Sequence, residues 1–213
     1  MARALSRAAR ELAAADPVLG GLIERIGPLS LAERRRRRGV PLDDPYGALL
    51  RAVVGQQLST KAARTIYERV LALFGGAVPS PGQLLAADEG ALRAAGLSGR
   101  KVEYVRDLAR HVLSGELELD RLGELTDEEV IAEIVAARGL GRWTAEMFLI
   151  FHLGRPDVVS GGDLGIRNAI RAAYGLGELP SPAEVVERAE RWRPHRSLAC
   201  LYLWESLAAT PVT

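Results

Sequence analysis

Residues 137–145 read ARGLGRWTA, the most informative stretch of the sequence. Helical periodicity precedes it in DEEVIAEIVAA (127–137) and follows it in RWTAEMFLIFHLG (142–154), which predicts two helices joined by a tight turn. Gly139 and Gly141 would let the backbone of this turn approach another surface closely. A helix that begins directly after the turn offers unpaired N–H groups to an anion such as a phosphate. On spacing alone, an ordinary helical hairpin closed by two glycines is an equally good interpretation.

The rest of the chain shows the same periodicity. No segment alternates apolar and polar residues between turn signals in the way of a half-buried strand. Capping residues and Gly/Pro breaks place helices near 3–14, 17–26, 46–55, 59–74, 81–87, 89–95, 99–114, 127–136, 142–153, 163–174, 182–192 and 195–208. We therefore predict an all-α protein.

Composition excludes several kinds of site. Cys200 is the only cysteine, so a disulfide framework, a cysteine zinc site and a four-cysteine iron–sulfur cluster are excluded. The three histidines share no metal-ligand spacing, and no glycine-rich turn carries the Lys-Ser/Thr of a nucleotide-binding P-loop. We expect neither a metal site built from side chains nor a cofactor. The first twenty residues carry charges where a signal peptide is apolar, which leads us to expect a soluble, cytoplasmic protein with no membrane partner.

Charge is unevenly distributed although the formal net charge is only +1. Residues 1–38 hold nine arginines and four carboxylates, a balance of +5, whereas residues 108–135 have a balance of −6. Basic patches of this kind matter more for a polyanionic partner than the total charge does. The run Arg34–Arg38, followed by Gly39, Val40 and Pro41, is interpreted either as a linker or as a solvated stretch of repelling charges.

Two segments and one aspartate flank the hairpin in a recognisable order. YGALLRAVVGQQLSTKAARTIYERV (46–70) precedes it, Asp163 follows Ala145 by 18 residues, and RWRPHRSLACLYLW (191–204) comes last. Together they resemble the helix-hairpin-helix DNA glycosylase superfamily, in particular the 3-methyladenine DNA glycosylase II family, over roughly residues 46–208.

The resemblance implies an all-α, two-lobed fold with an active-site cleft between the lobes. It implies a short form of the family, without an N-terminal β-rich domain. We expect a single glycosylase unit over residues 1–213, in which residues 1–45 form an N-terminal helical arm that packs on the second lobe. Residues 46–208 would then form the glycosylase core, with the hairpin at 137–145.

The implied activity is hydrolysis of the N-glycosidic bond of alkylated purines in double-stranded DNA, the first step of base excision repair. The family resemblance makes Asp163 the catalytic residue, because a carboxylate stabilises the oxocarbenium-like sugar and can orient or deprotonate the attacking water. Relatives that also cut the strand carry a lysine where this chain has Trp143. Since an indole cannot form a Schiff base, the resemblance implies a monofunctional enzyme without lyase activity.

Four residues match the base pocket of the family: Trp143, Met147, Leu164 and Trp204. Stacking of a cationic alkylated purine on an indole face contributes about 0.5–2 kcal/mol. Met147 and Leu164 replace aromatic residues of some relatives, which predicts a wider pocket and leaves the range of damaged bases open. Core packing is the alternative role for both tryptophans, and a plain helix N-cap is the alternative for Asp163.

DNA contacts are expected from the turn before residue 60 and from the hairpin. Gln57 and Leu58 match the region that fills the gap left by a flipped nucleotide. The ordinary alternative is that Ser59 is a helix cap, Leu58 lies in the core and Gln57 is solvated. The DNA-binding set is Gln57, Leu58, Ser59, Lys61, Gly139, Gly141, Arg142 and Thr144. The family also implies a monovalent cation held by hairpin carbonyls, and the protein is expected to be a monomer.

Two other functions fit the same sequence. One is an enzyme of this fold that prefers deaminated or oxidised purines. The other is a damage-sensing DNA-binding protein without catalysis, against which the presence of Asp163 argues.

Overall fold

A computed structural model describes residues 4–37, 41 and 43–208 of the chain. Within these residues the secondary structure is helical, and no β-strand is present. The α-helices are α1 (Arg7–Ala15), α2 (Pro17–Ile26), α3 (Leu31–Arg37), α4 (Pro45–Gly55), α5 (Thr60–Ala72), α6 (Pro81–Ala86), α7 (Glu89–Ala94), α8 (Gly99–Ser114), α9 (Asp127–Ala136), α10 (Arg142–Phe148), α11 (Leu164–Ala173), α12 (Pro182–Ala189) and α13 (Arg196–Ala208). Short 3-10 helices cover Leu119–Arg121 and Glu190–Trp192, and a π-helix covers Leu149–Leu153.

The all-α prediction is confirmed, and capping explains much of the agreement. Helices α2, α8 and α9 have the bounds that the sequence predicts. Thr126 and Ser181 begin α9 and α12 with reciprocal bonds to the glutamates three residues on, and thereby form capping boxes. Each cap satisfies N–H groups that the first helical turn cannot pair internally.

Two predicted elements differ from the structure. Residues 34–37 of the Arg34–Arg38 run do not form a linker, because Leu31–Arg37 is helical. Arg38, Gly39 and Val40 lie outside the described residues. The predicted helix 142–153 is an α-helix only to Phe148 and continues as the π-helix. Apolar periodicity in FLIFHL does not distinguish the two helix types, since a π-helical turn changes the spacing by only one residue.

The chain divides into two compact units. The first joins the described parts of residues 1–38 and 149–213, and therefore contains α1–α3, the π-helix and α11–α13. Leu12, Ile23, Ile170 and Trp192 are buried in one shared core. The N-terminal helices are thus an integral part of this unit.

The second unit spans residues 39–148 and contains α4–α10. Helix α4 packs against α5, α8 and α10, while α9 packs against α10 as the two arms of the hairpin. Leu49, Val53, Val105 and Ile134 are fully buried. None of the helices in the described ranges combines the length and hydrophobicity needed to cross a membrane.

Candidate active site

Asp163 is placed by a helix start in the first unit. Its side chain is the N-cap of α11, where Oδ1 accepts a hydrogen bond of 2.8 Å from the Ile166 backbone N–H. The same oxygen accepts a bond of 3.0 Å from Nε1 of Trp204. The residue is half-buried. The cap, predicted as an alternative to catalysis, is therefore present, and it fixes a carboxylate at the positive end of the helix dipole.

Trp204 lies beside this carboxylate on α13. The exposure of the residue is intermediate, and its ring packs against Phe151 with 5.7 Å between ring centroids and a tilt of 33°. This distance falls in the range of favourable aromatic pairs. The indole therefore has two structural partners, a carboxylate at its N–H and an aromatic ring at its side.

The other predicted base-pocket residues differ widely in exposure. Leu164, the first residue of α11, is 59% exposed, and Trp143, in the first turn of α10, is 45% exposed. Met147, one turn after Trp143, is buried. Single exposed apolar side chains are common on protein surfaces, so the exposure of Trp143 and Leu164 is compatible with a contact role but does not assign one. Exposure of Trp143 argues against a simple core role, whereas Met147 is part of the interior.

The Gly55–Ser59 turn has an unusual backbone. Gln57 adopts a φ of 58°, which is the left-handed region that residues other than glycine seldom occupy. Gln57 and Leu58 are both exposed, Leu58 by 37%. Ser59 caps α5 by accepting a bond of 3.3 Å from the Ala62 N–H. The cap is thus real, but the alternative that buries Leu58 in the core is wrong.

The hairpin turn is fixed by Gln56, which directly follows α4, and by two residues of α8, all in the second unit. Gly139 has a φ of +85°, and a Cβ at this position would overlap the Tyr104 ring. Asp107 accepts a bond of 2.7 Å from the Arg138 backbone N–H. The amide of Gln56 donates to the Gly139 carbonyl at 2.8 Å, and thereby joins the Gly55–Ser59 turn to the hairpin.

Arg142 and Thr144, both predicted DNA contacts, are engaged within the protein. The Arg142 guanidinium donates to both carboxylate oxygens of Glu128, at 2.6 and 3.0 Å, and to Glu146 at 3.1 Å. The hydrogen bond from Arg142 lowers the pKa of Glu128. A DNA phosphate must therefore compete with Glu128 for Arg142. Thr144 in α10 is only 3% exposed. Because its side chain is buried in this structure, the predicted DNA contact through it does not fit.

Lys61 and Gly141 are accessible to DNA, as their predicted roles as DNA contacts require. Lys61 is exposed on α5, and a Cβ at Gly141 would meet no atom within 4 Å. Among the described residues, no group of three or more His, Cys, Asp or Glu side chains could hold a metal ion.

Sequence reasoning did not identify several residues that support the site. Gln56, Tyr104, Asp107 and Glu128 hold the hairpin or its arginine, and Lys101 donates to the Val54 carbonyl at 2.7 Å where α4 ends. Partial burial lowers the pKa of Lys101. Their partners are 14–83 residues away in the chain. Only Gln56 had a local indication in the sequence, because it is adjacent to Gln57, which was predicted to contact DNA.

Comparison with known proteins bears on the same segments. Residues 50–194 match the family of HhH-GPD superfamily base excision DNA repair proteins. DNA-3-methyladenine glycosylase 1 of Schizosaccharomyces pombe is 37% identical over 81% of this chain and 76% of that protein. The structure of the S. pombe 3-methyladenine DNA glycosylase in complex with abasic DNA aligns with a TM-score of 0.87 and 32% identity, covering 98% of this chain and 100% of that one.

A bacterial structure agrees with this assignment. The DNA-3-methyladenine glycosidase of Bacillus halodurans aligns with a TM-score of 0.80 and 38% identity, over 96% of this chain and 90% of that one. The family match covers the hairpin, Asp163, residues 50–70 of the first flanking segment and residues 191–194 of the second. The chain belongs to the HhH-GPD superfamily of base excision DNA repair proteins.

Proposed function

We propose that the protein is a DNA glycosylase that removes alkylated purines of the 3-methyladenine type from double-stranded DNA by base flipping. The observation that carries this proposal is the Asp163 carboxylate, held by the α11 N-terminus and by Trp204 in a chain whose relatives are named 3-methyladenine glycosylases. A carboxylate fixed by two N–H donors keeps its position while charge develops on the sugar, and so needs no reorganisation during the reaction.

The reaction breaks the bond between C1′ and the purine nitrogen. The electron pair of that bond leaves with the base, so an alkylated purine that is cationic in DNA departs as a neutral molecule. Asp163 stabilises the positive charge that forms on the sugar, water adds its oxygen to C1′, and the water proton passes to the carboxylate or to solvent. The product is an abasic site.

The proposed DNA contacts come from the Gly55–Ser59 turn and from the hairpin. Gln57 and Leu58 would fill the gap in the duplex, and the hairpin N–H groups at Gly139 and Gly141 would bind the strand phosphate. The roles of Trp143, Met147, Leu164 and Trp204 in holding the flipped base stay predictions. Backbone carbonyls are hard oxygen donors that suit a monovalent cation at the hairpin, and the Gly139 carbonyl keeps one lone pair after accepting from Gln56. The protein is proposed to act as a monomer.

Asp163→Asn tests the catalytic role. The amide keeps the size of the side chain but removes the negative charge, so we expect base release from a 3-methyladenine duplex to fall by at least about 100-fold. Binding to a duplex with a neutral tetrahydrofuran abasic-site analogue should change little. Single-turnover release and equilibrium binding measure the two quantities, and an unchanged rate of release would remove Asp163 from the mechanism.

Absence of lyase activity is a separate proposal that rests on Trp143. A protein without an amine at this position should not become covalently attached to abasic DNA when borohydride is added. Covalent trapping of the purified wild-type chain would contradict this.

The lesion preference distinguishes the first alternative function. Duplexes that each carry one alkylated, deaminated or oxidised purine should show release of the alkylated bases first. Release confined to 8-oxoguanine would favour an oxidised-purine enzyme, and binding without release of any base would favour a damage sensor.

A further inference from the structure

The Trp204 indole donates a hydrogen bond to the Asp163 carboxylate, in addition to presenting an aromatic ring. Its Nε1 donates to the Asp163 oxygen that also caps α11. The carboxylate is therefore held by two donors, one from the α11 backbone and one from a side chain of α13. Gly165 makes this approach possible, because a Cβ there would lie 2.9 Å from Asp163 Oδ1 and 3.3 Å from Trp204 Cδ1. A larger residue at 165 would push the two side chains apart.

Phe151 packs on the indole and belongs to the π-helix. The two rings are 5.7 Å apart, which limits how far the Trp204 ring can swing without losing this contact. The backbone of Phe151 is itself held by an arginine of the N-terminal part of the chain. Nε of Arg35 donates to the Phe151 carbonyl at 3.2 Å, and its Nη2 donates to the His152 carbonyl.

The Arg35 guanidinium lies in a space that is left by a glycine of the backbone. Gly154 has a φ of +73°, and a Cβ at this residue would overlap the Arg35 guanidinium. Arg35 is partly buried, and that burial lowers its pKa. The neighbouring Arg36 on the same helix is exposed. One arginine of the run therefore binds the end of the π-helix while the next faces solvent.

We infer that Arg35, Phe151 and Trp204 are positioning residues that hold the Asp163 carboxylate in its working orientation. The inference rests on the proposed function and deepens it, because it assigns the arginine run a task in the same reaction. We call this series of contacts, from Arg35 through Phe151 and Trp204 to Asp163, the relay. All four residues lie in the first unit, so the relay lies within one compact unit. It also gives Trp204 a role that is independent of which base stacks on it.

Two abasic-site analogues test the relay in the full-length protein. A pyrrolidine analogue carries a protonated nitrogen in place of the charged sugar, whereas a tetrahydrofuran analogue is neutral. A well-placed carboxylate favours the cationic duplex, so the ratio of the two dissociation constants reports the carboxylate position. A residue needed only for folding or for holding DNA would change both constants alike.

Trp204→Phe keeps an aromatic ring but removes the N–H donor. We expect the preference for the pyrrolidine duplex to fall roughly tenfold, the size of a lost hydrogen bond to a charged group. Arg35→Lys cannot reach both carbonyls and should lower the preference less, by about threefold. Arg36→Lys is the matched control and should leave the ratio unchanged. In an Asp163→Asn background, Trp204→Phe should have no further effect on the ratio.

Three results would overturn the relay. These are an unchanged ratio in Trp204→Phe, an equal loss in Arg36→Lys and Arg35→Lys, or a further loss when Trp204→Phe is added to Asp163→Asn. If Trp204→Phe does not fold, Gly165→Ala serves instead, since it separates the same two side chains. The proposed function fails separately: wild-type protein that releases no alkylated base, with a ratio that Asp163→Asn does not alter, would contradict both proposals. A ratio that falls in Asp163→Asn but stays unchanged in Trp204→Phe would contradict the relay alone.

Discussion

Gly139 and Gly141 have different tasks although they are two residues apart in the same turn. Gly139 needs the left-handed backbone and the space that the Tyr104 ring borders, whereas Gly141 has open space around its Cα. The first glycine therefore serves the fold of the hairpin. The second is free to serve a close approach to DNA.

Alanine substitution at the two positions should separate stability from binding. Gly139→Ala combines a strained φ with overlap on Tyr104, and we expect it to lower the free energy of unfolding by about 1–3 kcal/mol. Gly141→Ala should leave stability within about 0.5 kcal/mol of wild type and weaken DNA binding. Denaturant unfolding and DNA titration measure the two effects; equal losses of stability would contradict the assignment.

Single residues show where sequence reasoning succeeds. The caps at Ser59 and Asp163 could be predicted because capping needs only a polar side chain before a helical pattern, which is local information. The left-handed backbone of Gln57 and the bond from Trp204 to Asp163 could not. The first has no residue signature, and the second joins residues 41 positions apart.

Helices α9 and α10 carry an electrostatic restraint on DNA binding. Arg142 at the start of α10 is paired with Glu128 near the start of α9, although the same arginine is predicted to bind phosphate. The hydrogen bond from Arg142 holds the pKa of Glu128 below its usual range. The carboxylate therefore stays ionised, and the pair persists, until the pH falls below the ordinary range of a glutamate.

Glu128→Gln should strengthen DNA binding. Without the negative charge, Arg142 can neutralise a phosphate, so we expect a higher affinity at low salt and a slope of log K against log salt that is steeper by about one. Glu129→Gln is the control, because Glu129 lies beside it but bonds to Thr126 at the helix cap. If Glu128→Gln also strengthens binding in an Arg142→Ala background, Arg142 is not the reason.

Helix α3 shows why a pattern of like charges is a poor guide to an element. Five adjacent arginines predict repulsion and solvation, and no partner is visible nearby in the sequence. In the structure Arg34 bonds to Glu205 and Arg35 to the Phe151 and His152 carbonyls, at separations of 116–171 residues. Long-range acceptors therefore stabilise a helix that local reasoning rejects.

At the scale of the whole molecule, the first unit is built from two distant parts of the chain that share one core. The buried carboxylate of Asp16 illustrates how they are joined. It caps α2 through the Val18 and Leu19 N–H groups, and accepts a bond of 2.9 Å from Trp192 Nε1 and another from the Tyr174 hydroxyl. The all-α fold and the family could be predicted from the sequence, but this join could not, since it links residues 158 and 176 positions apart.

Asp16→Ala should destabilise the protein far more than the loss of an ordinary cap. It leaves the buried Trp192 N–H and the partly buried Tyr174 hydroxyl without their acceptor as well as α2 uncapped, and we expect a loss of about 3–5 kcal/mol. Asp88→Ala, which removes the exposed cap of α7, is the control and should cost about 1 kcal/mol. Equal losses in denaturant unfolding would show that the buried bonds contribute nothing.

The pH dependence of this difference has a definite sign. Burial alone would raise the pKa of Asp16, but the bonds from Tyr174, Trp192 and the backbone outweigh it and lower the pKa below its usual value. A carboxyl group with a lowered folded-state pKa stabilises the protein at all pH values above its unfolded pKa of about 3.9, and this contribution is lost as the pH falls through the folded value. The stability gap between wild type and Asp16→Ala should therefore be constant near neutral pH and narrow below about pH 4. A gap that widens in acid would mean that Asp16 is protonated in the folded protein.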